Sequence, residues 1–322
     1  MDKRSLSAPC PCGSGQLFAA CHGADATPDA TAPGEGKGSV THGYWLVAFV
    51  DLLGQKEAFL KTDYLPNAED PAKVEAFMAE VKASTGVILG MRKILASFRT
   101  GLTQDSGAFN DLSREQREMA ERFQKTRVRE FRMSDGIILA CPLTPENGHF
   151  PIRGVYDVLA TCAVLMSVQL AAERPIRGGI DVGTGMEIDG ELFGPALVKA
   201  YVLESKRAKY PRLAVGQDLV NYLMTSARSG MPEIEGQYQR KMAEGIVPLL
   251  KRDADQQWIV DYAGPKAREF LPRLTDMLGP AKAFAQRTRA ELMPRQDEEG
   301  QKLFGRYTQL VRYLEASGIT SI

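Results

Sequence analysis

No excess of either charge marks this chain: 40 Lys and Arg residues balance 40 Asp and Glu residues across 322 positions. Without a basic surplus nothing electrostatic favours a polyphosphate backbone or an anionic surface, so neither nucleic acid nor a membrane is an expected partner. Long apolar runs are missing too. The most apolar stretch, residues 158–172, contains Ser167 and Gln169 and follows Asp157. It is shorter than the roughly 20 apolar residues that span a bilayer, and reads as a buried helix. No apolar segment follows the opening Met-Asp-Lys-Arg-Ser, so no secretory leader is expected and the compartment is read as the cytoplasm. Cysteine is scarce, at five residues, and Cys141 and Cys162 stand alone in apolar surroundings. They read as packing residues, and no disulfide framework is suggested. Histidine is scarcer, at three; His42 and His149 lack partners at useful spacing and receive no role. No internal repeat is found.

What is present is a globular composition, 44% hydrophobic and 25% charged, with length enough for one large domain or two. The remaining three cysteines cluster at the start. Cys10, Cys12 and Cys21, with His22, are spaced so that three thiolates and an imidazole can close a tetrahedral Zn²⁺ site. Metal would fold a segment too short to hold itself together by burial. The Cys-Pro-Cys-Gly-Ser-Gly opening, Phe18 three residues before the third cysteine, and the Cys21-His22 pair resemble the SEC-C zinc motif. The resemblance implies a structural Zn²⁺ in a unit over residues 1–25. Residues 26–42 follow as a flexible linker, rich in Ala, Pro, Gly and Thr and without periodicity.

Order resumes with an apolar strand over 44–51, and a helix starts near Gln55. A long helix is expected over 72–99, with Val74, Phe77, Met78, Val81, Val87 and Ile88 near helical spacing. The charged stretch 113–127 reads as a solvated helix. A hairpin is expected from 128–133 and 135–141, then a helix over about 154–173. A strand over 177–183 leads through a Gly-rich turn to a short strand at 186–188. Pro195 suits the first turn of a further helix, and 213–215 begins another strand. This order describes an α/β sandwich of ferredoxin-like character over residues 43–216, with a mostly helical C-terminal region over 217–322.

Two carboxylates interrupt the apolar segments. Asp51 lies in Phe49-Val50-Asp51-Leu52-Leu53-Gly54, and Asp135 in Ser134-Asp135-Gly136-Ile137. A buried, unpaired carboxylate is expensive, and a hard divalent cation is the usual way to make two of them tolerable. Held on neighbouring strands, they could keep one or two Mg²⁺ or Mn²⁺ ions against a triphosphate. The plain alternative is a pair of ordinary strand-end aspartates capping turns.

These segments resemble the class III nucleotidyl cyclases. Phe49–Gly54 looks like the first strand with its metal-binding Asp, and Ser134-Asp135-Gly136 like the hairpin carrying the second. Arg177–Gly183 and Gly194–Glu204 match the later strand and helix, and Tyr210-Pro211-Arg212 adds a motif of one bacterial branch. The combination is closest to the pyrimidine cyclases of anti-phage Pycsar systems. The resemblance implies conversion of UTP or CTP, uridylate cyclisation first, to the 3′,5′-cyclic nucleotide and pyrophosphate, for antiviral signalling. It implies two Mn²⁺ or Mg²⁺ ions on Asp51, the Leu52 carbonyl and Asp135, with the Leu53 and Gly54 amides at a helix start suiting phosphate oxygens. Phe49, Phe131 and Arg132 fall among the substrate-binding positions. A ribonucleoside triphosphate, a homodimer and a separate effector that senses the product are the implied partners.

The departures from that family matter. Phe131 stands where purine cyclases carry a base-reading Lys, and Glu191 where its Asp partner lies. Val198 and Val202 replace the Asn and Arg that orient ribose and stabilise the transition state. Loss of such a cation is worth orders of magnitude in rate unless another replaces it. Arg177 and Arg132 are the candidate replacements, with Lys199 behind them. Loss of the purine readers favours a pyrimidine. A catalytically inactive cyclase-like module that binds nucleotide or protein, with the zinc hook as a docking element, is the competing expectation. Another metal-dependent phosphoryl-transfer enzyme on a similar fold is the third.

Overall fold

The computed structural model describes residues 41–103, 118, 122, 126–144, 150–230, 233–272 and 274–320. The expected zinc ligands Cys10, Cys12, Cys21 and His22 lie outside the described residues, as do the linker through position 40, most of 113–127, and His149.

Strand β1 (Thr41–Leu52) is followed by the short helix α1 (Gln55–Leu60) and the long helix α2 (Pro71–Thr103). Strands β2 (Arg129–Arg132) and β3 (Gly136–Pro142) form the expected hairpin. Helix α3 (Pro151–Ala171) leads to β4 (Ile176–Ile188), β5 (Glu191–Phe193) and α4 (Pro195–Val202), which runs into a π-helical turn at Leu203–Arg207. After β6 (Leu213–Val215) come α5 (Gln217–Ala227), α6 (Ile234–Ile246) and the hairpin of β7 (Leu250–Arg252) with β8 (Trp258–Val260). Helices α7 (Pro265–Phe270), α8 (Leu274–Leu292) and α9 (Glu298–Ala316) complete the described chain.

The result is a mixed α/β fold around one eight-stranded sheet ordered β2-β3-β1-β4-β6-β8-β7, with β5 added to β4. All pairs are antiparallel except β4 with β6. The sheet therefore runs on past position 216, because β8 and β7 extend it beyond β6.

Alternation along β1 sorts its side chains into two layers. Leu46, Ala48, Val50 and Leu52 enter the main core beneath α2, α3, α5, α8 and α9. Trp45, Val47 and Phe49 enter a smaller cluster closed by Ala196 and Ala200 of α4. Asp51 is the next member of that second series and so belongs to the α4 face. Helix α3 is long and apolar enough to cross a membrane by length and composition, yet most of it is buried inside the fold, which makes it a core helix.

Where two strands joined by a Gly-rich turn were expected over 177–188, β4 is continuous. Of its 13 residues, those from Ile176 to Glu187 pair with β1, and the glycines serve packing instead of turning. A Cβ at Gly183 would sit 3.0 Å from the Ala196 backbone, and one at Gly185 the same distance from the Trp45 ring. Closest of all is Gly179, where a Cβ would lie 2.1 Å from Ala200 O and 2.5 Å from Glu204 N. Only glycine lets the end of α4 and its π-helical turn lie directly on the strand.

Candidate functional site

The site is built where three segments end together. Asp51 is the penultimate residue of β1, and its register partners are Gly136 on β3 and Arg177 on β4. Asp135 immediately precedes Gly136 in the β2–β3 turn, so the hairpin delivers the second carboxylate beside the first. Gly136 permits the close approach, since a Cβ there would come within 3.0 Å of Val50 O. Arg177 shares the α4 face with Asp51, as directly opposed residues of an antiparallel pair do.

A third carboxylate, which the sequence reading did not single out, completes the group. Glu204 projects from the π-helical turn, is 2% exposed, and forms an ion pair with Arg177. Single π-turns in helices recur at functional positions. The electrostatics reflect the crowding. Burial, then Asp135, then Glu204 push the Asp51 carboxyl from an ordinary 3.8 up to about 7, while Arg177 and the Leu52 backbone N–H pull it down. Burial likewise raises Glu204, opposed by Arg177.

The other predicted positions fall in distinct places. Phe49 packs in the small cluster and meets the Tyr201 ring edge-on at 5.5 Å, and Phe131 lies against the same cluster. Arg132 is the register partner of Ile137, whose side chain enters the main core, so Arg132 lies on the opposite face from Asp51. It pairs with Glu130 at 3.2 Å instead. The Leu53 N–H donates to Pro175 O at 2.9 Å, so this amide is already committed. Gly54 turns the chain into α1 with a φ of 86°. Lys199 lies apart from the carboxylates, bonded to Asp218 at 2.5 Å and to Val182 O at 3.2 Å. That pair borders a shallow cavity of about 220 Å³ lined by Tyr44, Thr184 and Pro195, which contains none of Asp51, Asp135 and Arg177. Of the three cations weighed from sequence, only Arg177 shares the site.

Among the described residues no group of three or more His, Cys, Asp or Glu side chains is arranged to hold a metal ion. A site of two carboxylates is nevertheless the kind Mg²⁺ uses, since that ion keeps several waters and takes its remaining ligands from substrate phosphates. The raised carboxyl of Asp51 is the observation that fits a cation: like charges held together in a partly buried place are relieved by a positive ion.

Two further polar arrangements frame the site. Asp181, buried on β4, accepts the Leu219 N–H at 3.0 Å and so caps the start of α5 from another element. Gly216 leaves room for that carboxylate, since a Cβ would lie 2.0 Å from its carbon. Arg212, 2% exposed, donates from Nη1 to Asp253 (2.5 Å) and Asp255 (2.9 Å), and from Nη2 to Asp255 (2.7 Å) and the Arg207 carbonyl (2.5 Å). The Tyr210 hydroxyl donates to Asp253 at 2.7 Å. The Tyr-Pro-Arg segment thereby ties the end of the π-helical turn to the β7–β8 hairpin.

The SEC-C motif family matches residues 7–24 of the chain. No curated protein matches the chain.

Proposed function

We propose that the chain is a nucleotidyl cyclase of class III type, turning UTP or CTP into its 3′,5′-cyclic nucleotide with release of pyrophosphate. One observation carries the reading: Asp51 and Asp135 converge at one end of the sheet with Arg177 on the same face. Asp51, the Leu52 carbonyl and Asp135 would hold Mg²⁺ or Mn²⁺, which when bound makes the ribose 3′-hydroxyl more acidic and neutralises the triphosphate. In the reaction the 3′-hydroxyl gives up its proton to solvent and its oxygen bonds to the α-phosphorus, as the bond from that phosphorus to the α,β-bridging oxygen breaks and pyrophosphate leaves with the electron pair. Arg177 is the side chain of this protomer that could offset charge gathering on the α-phosphate, and Glu204 fixes its direction. Phe131 and Phe49 would offer ring faces to a base, where purine readers are lacking.

The homodimer belongs to the same reading. Helix α4 leaves Val198, Tyr201 and Val202 exposed at 59%, 52% and 44%, on one stripe beside the site. An apolar stripe of this kind supports a second copy covering the α4 face. At the N-terminus, Cys10, Cys12, Cys21 and His22 would hold structural Zn²⁺, a role supported by the SEC-C match. A cyclic product for antiviral signalling would need a separate effector, and a cytoplasmic setting suits a nucleoside triphosphate substrate.

The direct test incubates the purified full chain with each of the four ribonucleoside triphosphates and Mn²⁺ and identifies products by mass spectrometry. Cyclic UMP or CMP is expected, and Asp51→Ala and Asp135→Ala should each abolish it. A folded dimer giving no cyclic product from any triphosphate refutes the proposal. One observation favours a second reading, a non-catalytic nucleotide-binding module: Glu204 already neutralises Arg177, the cation that stands opposite Asp51 in the ladder. Triphosphate binding without turnover is its outcome.

A further inference from the structure

Asp135 sits in a turn, and a turn residue keeps a fixed place only if its backbone is held. The β2–β3 turn closes on itself weakly, through Met133 N–H to Gly136 O at 3.3 Å. A stronger hold comes from far along the chain. Arg92, on α2, donates from Nη2 to the carbonyl oxygens of both Met133 and Ser134, the latter at 3.4 Å. Its helix is firmly placed at this point, because Met91 and Leu95 on either side are buried in the main core. Ser134 in turn donates its hydroxyl to Asp135 Oδ1 at 2.7 Å. The guanidinium thus grips the peptide whose side chain aims the Asp135 carboxylate.

We propose that Arg92 is a positioning residue for Asp135: it locks the β2–β3 turn against α2 so that the second carboxylate stays beside Asp51. Arginine suits this task because it remains protonated and presents several N–H donors in one rigid plane, where lysine offers a single point. Arg92 touches no reacting atom in this scheme. The inference rests on the metal-site reading above, in which residues outside the ligand shell orient the ligands.

The test uses the full chain, its Arg92→Met and Arg92→Lys variants, and Mn²⁺ alone as the probe. Amide hydrogen exchange is followed in the 133–136 turn and, as an internal control, in β1 and β4. Bound Mn²⁺ is measured by electron paramagnetic resonance. In Arg92→Met the turn amides should exchange about tenfold faster while the control strands stay unchanged. Mn²⁺ affinity should fall about tenfold, in the range typical of lost outer-shell support. Arg92→Lys should lie between, and it carries the comparison if Arg92→Met does not fold. Unchanged turn exchange overturns the inference, as does unchanged Mn²⁺ affinity in a variant whose turn has loosened. If the unsubstituted chain takes up no Mn²⁺, the metal reading fails by itself, and the exchange comparison still decides whether Arg92 holds the turn.

Discussion

Arg177 stands opposite Asp51 in the β1–β4 ladder, and Glu204 grips its guanidinium from the π-helical turn. A purely structural pair and a working cation make different demands on this arrangement. Arg177→Met should destabilise the fold by about 3 kcal/mol, because it strands a buried carboxylate beside two others. Replacing both partners, Arg177→Met with Glu204→Met, should recover most of that loss, since well-packed apolar groups often match a buried ion pair. Cyclic product should stay absent from both variants. Urea midpoints together with the product assay check this, and a double variant that regains activity would remove Arg177 from the chemistry.

Asp181 gives the fold a specific pH dependence. Burial, aided by Asp218, raises its carboxyl to about 6 from an ordinary 3.8, against Lys199 and the backbone N–H groups of Val182 and Leu219. The raised value means the fold binds this proton more tightly than the unfolded chain does. The stability held by the protonated form is complete below pH 3.8 and is lost as the pH rises to about 6. Asp181→Asn keeps an oxygen for the Leu219 N–H and removes the titration. The variant should match the unsubstituted chain near pH 4 and exceed it by about 2 kcal/mol at pH 7.5. Chemical denaturation at the two pH values decides it; an equal difference at both would show that Asp181 does not titrate in this window.

The apolar stripe on α4 predicts the oligomeric state. Val202→Glu places a charge on an exposed surface of the single chain, so its fold should lose less than about 0.5 kcal/mol. In a dimer closed over that face the same charge would be buried without a partner. Sedimentation velocity should show a dimer for the unsubstituted chain and a monomer for the variant. A dimer that survives Val202→Glu would move the interface elsewhere.

The N-terminal motif is testable without any structural detail. About one Zn²⁺ per chain should be found in protein purified without chelator, and Cys10→Ser with Cys21→Ser should remove it, since two remaining ligands cannot close a tetrahedral site. Elemental analysis is the measurement, and full occupancy in the double variant would refute the ligand set.

The elements that local chemistry dictates were legible in the sequence. Alternating and apolar runs marked β1, the β2–β3 hairpin and α3, and Pro195 marked the start of α4. The two aspartates stood out because each breaks an apolar run, and the hairpin brings them together. What escaped notice depends on contacts between distant positions. Arg92 reaches the Asp135 turn across 41 residues, and nothing in the helical pattern of α2 signals it. Glu204 looks like any polar residue late in a helix until Gly179 draws its turn onto β4. The glycines of β4 suggested a break, because glycine weakens an isolated strand; their real partners, Trp45 and Ala196, lie on other elements. The apparent end of the sheet at position 216 has a similar cause, since β7 and β8 are three-residue strands that only pairing reveals.

Arg212 links that C-terminal hairpin to the site, and its substitution separates charge from geometry. The side chain is buried and splits its donors between Asp253, Asp255 and the Arg207 carbonyl that ends the Glu204 turn. The same guanidinium holds the Asp255 carboxyl below its ordinary value. Arg212→Lys keeps the charge but cannot span two carboxylates and a carbonyl at once. It should cost about 3 kcal/mol, close to the loss from Arg212→Met, because the unfilled acceptors are what is expensive. A loosened Arg207 end should also let Glu204 drift from Arg177, so amides of the 203–207 turn should exchange faster in Arg212→Lys than those of β1. Urea denaturation and amide exchange read the two effects separately. A lysine variant as stable as the unsubstituted chain would show that the cluster needs only a positive charge, and would cut the hairpin's hold on the site.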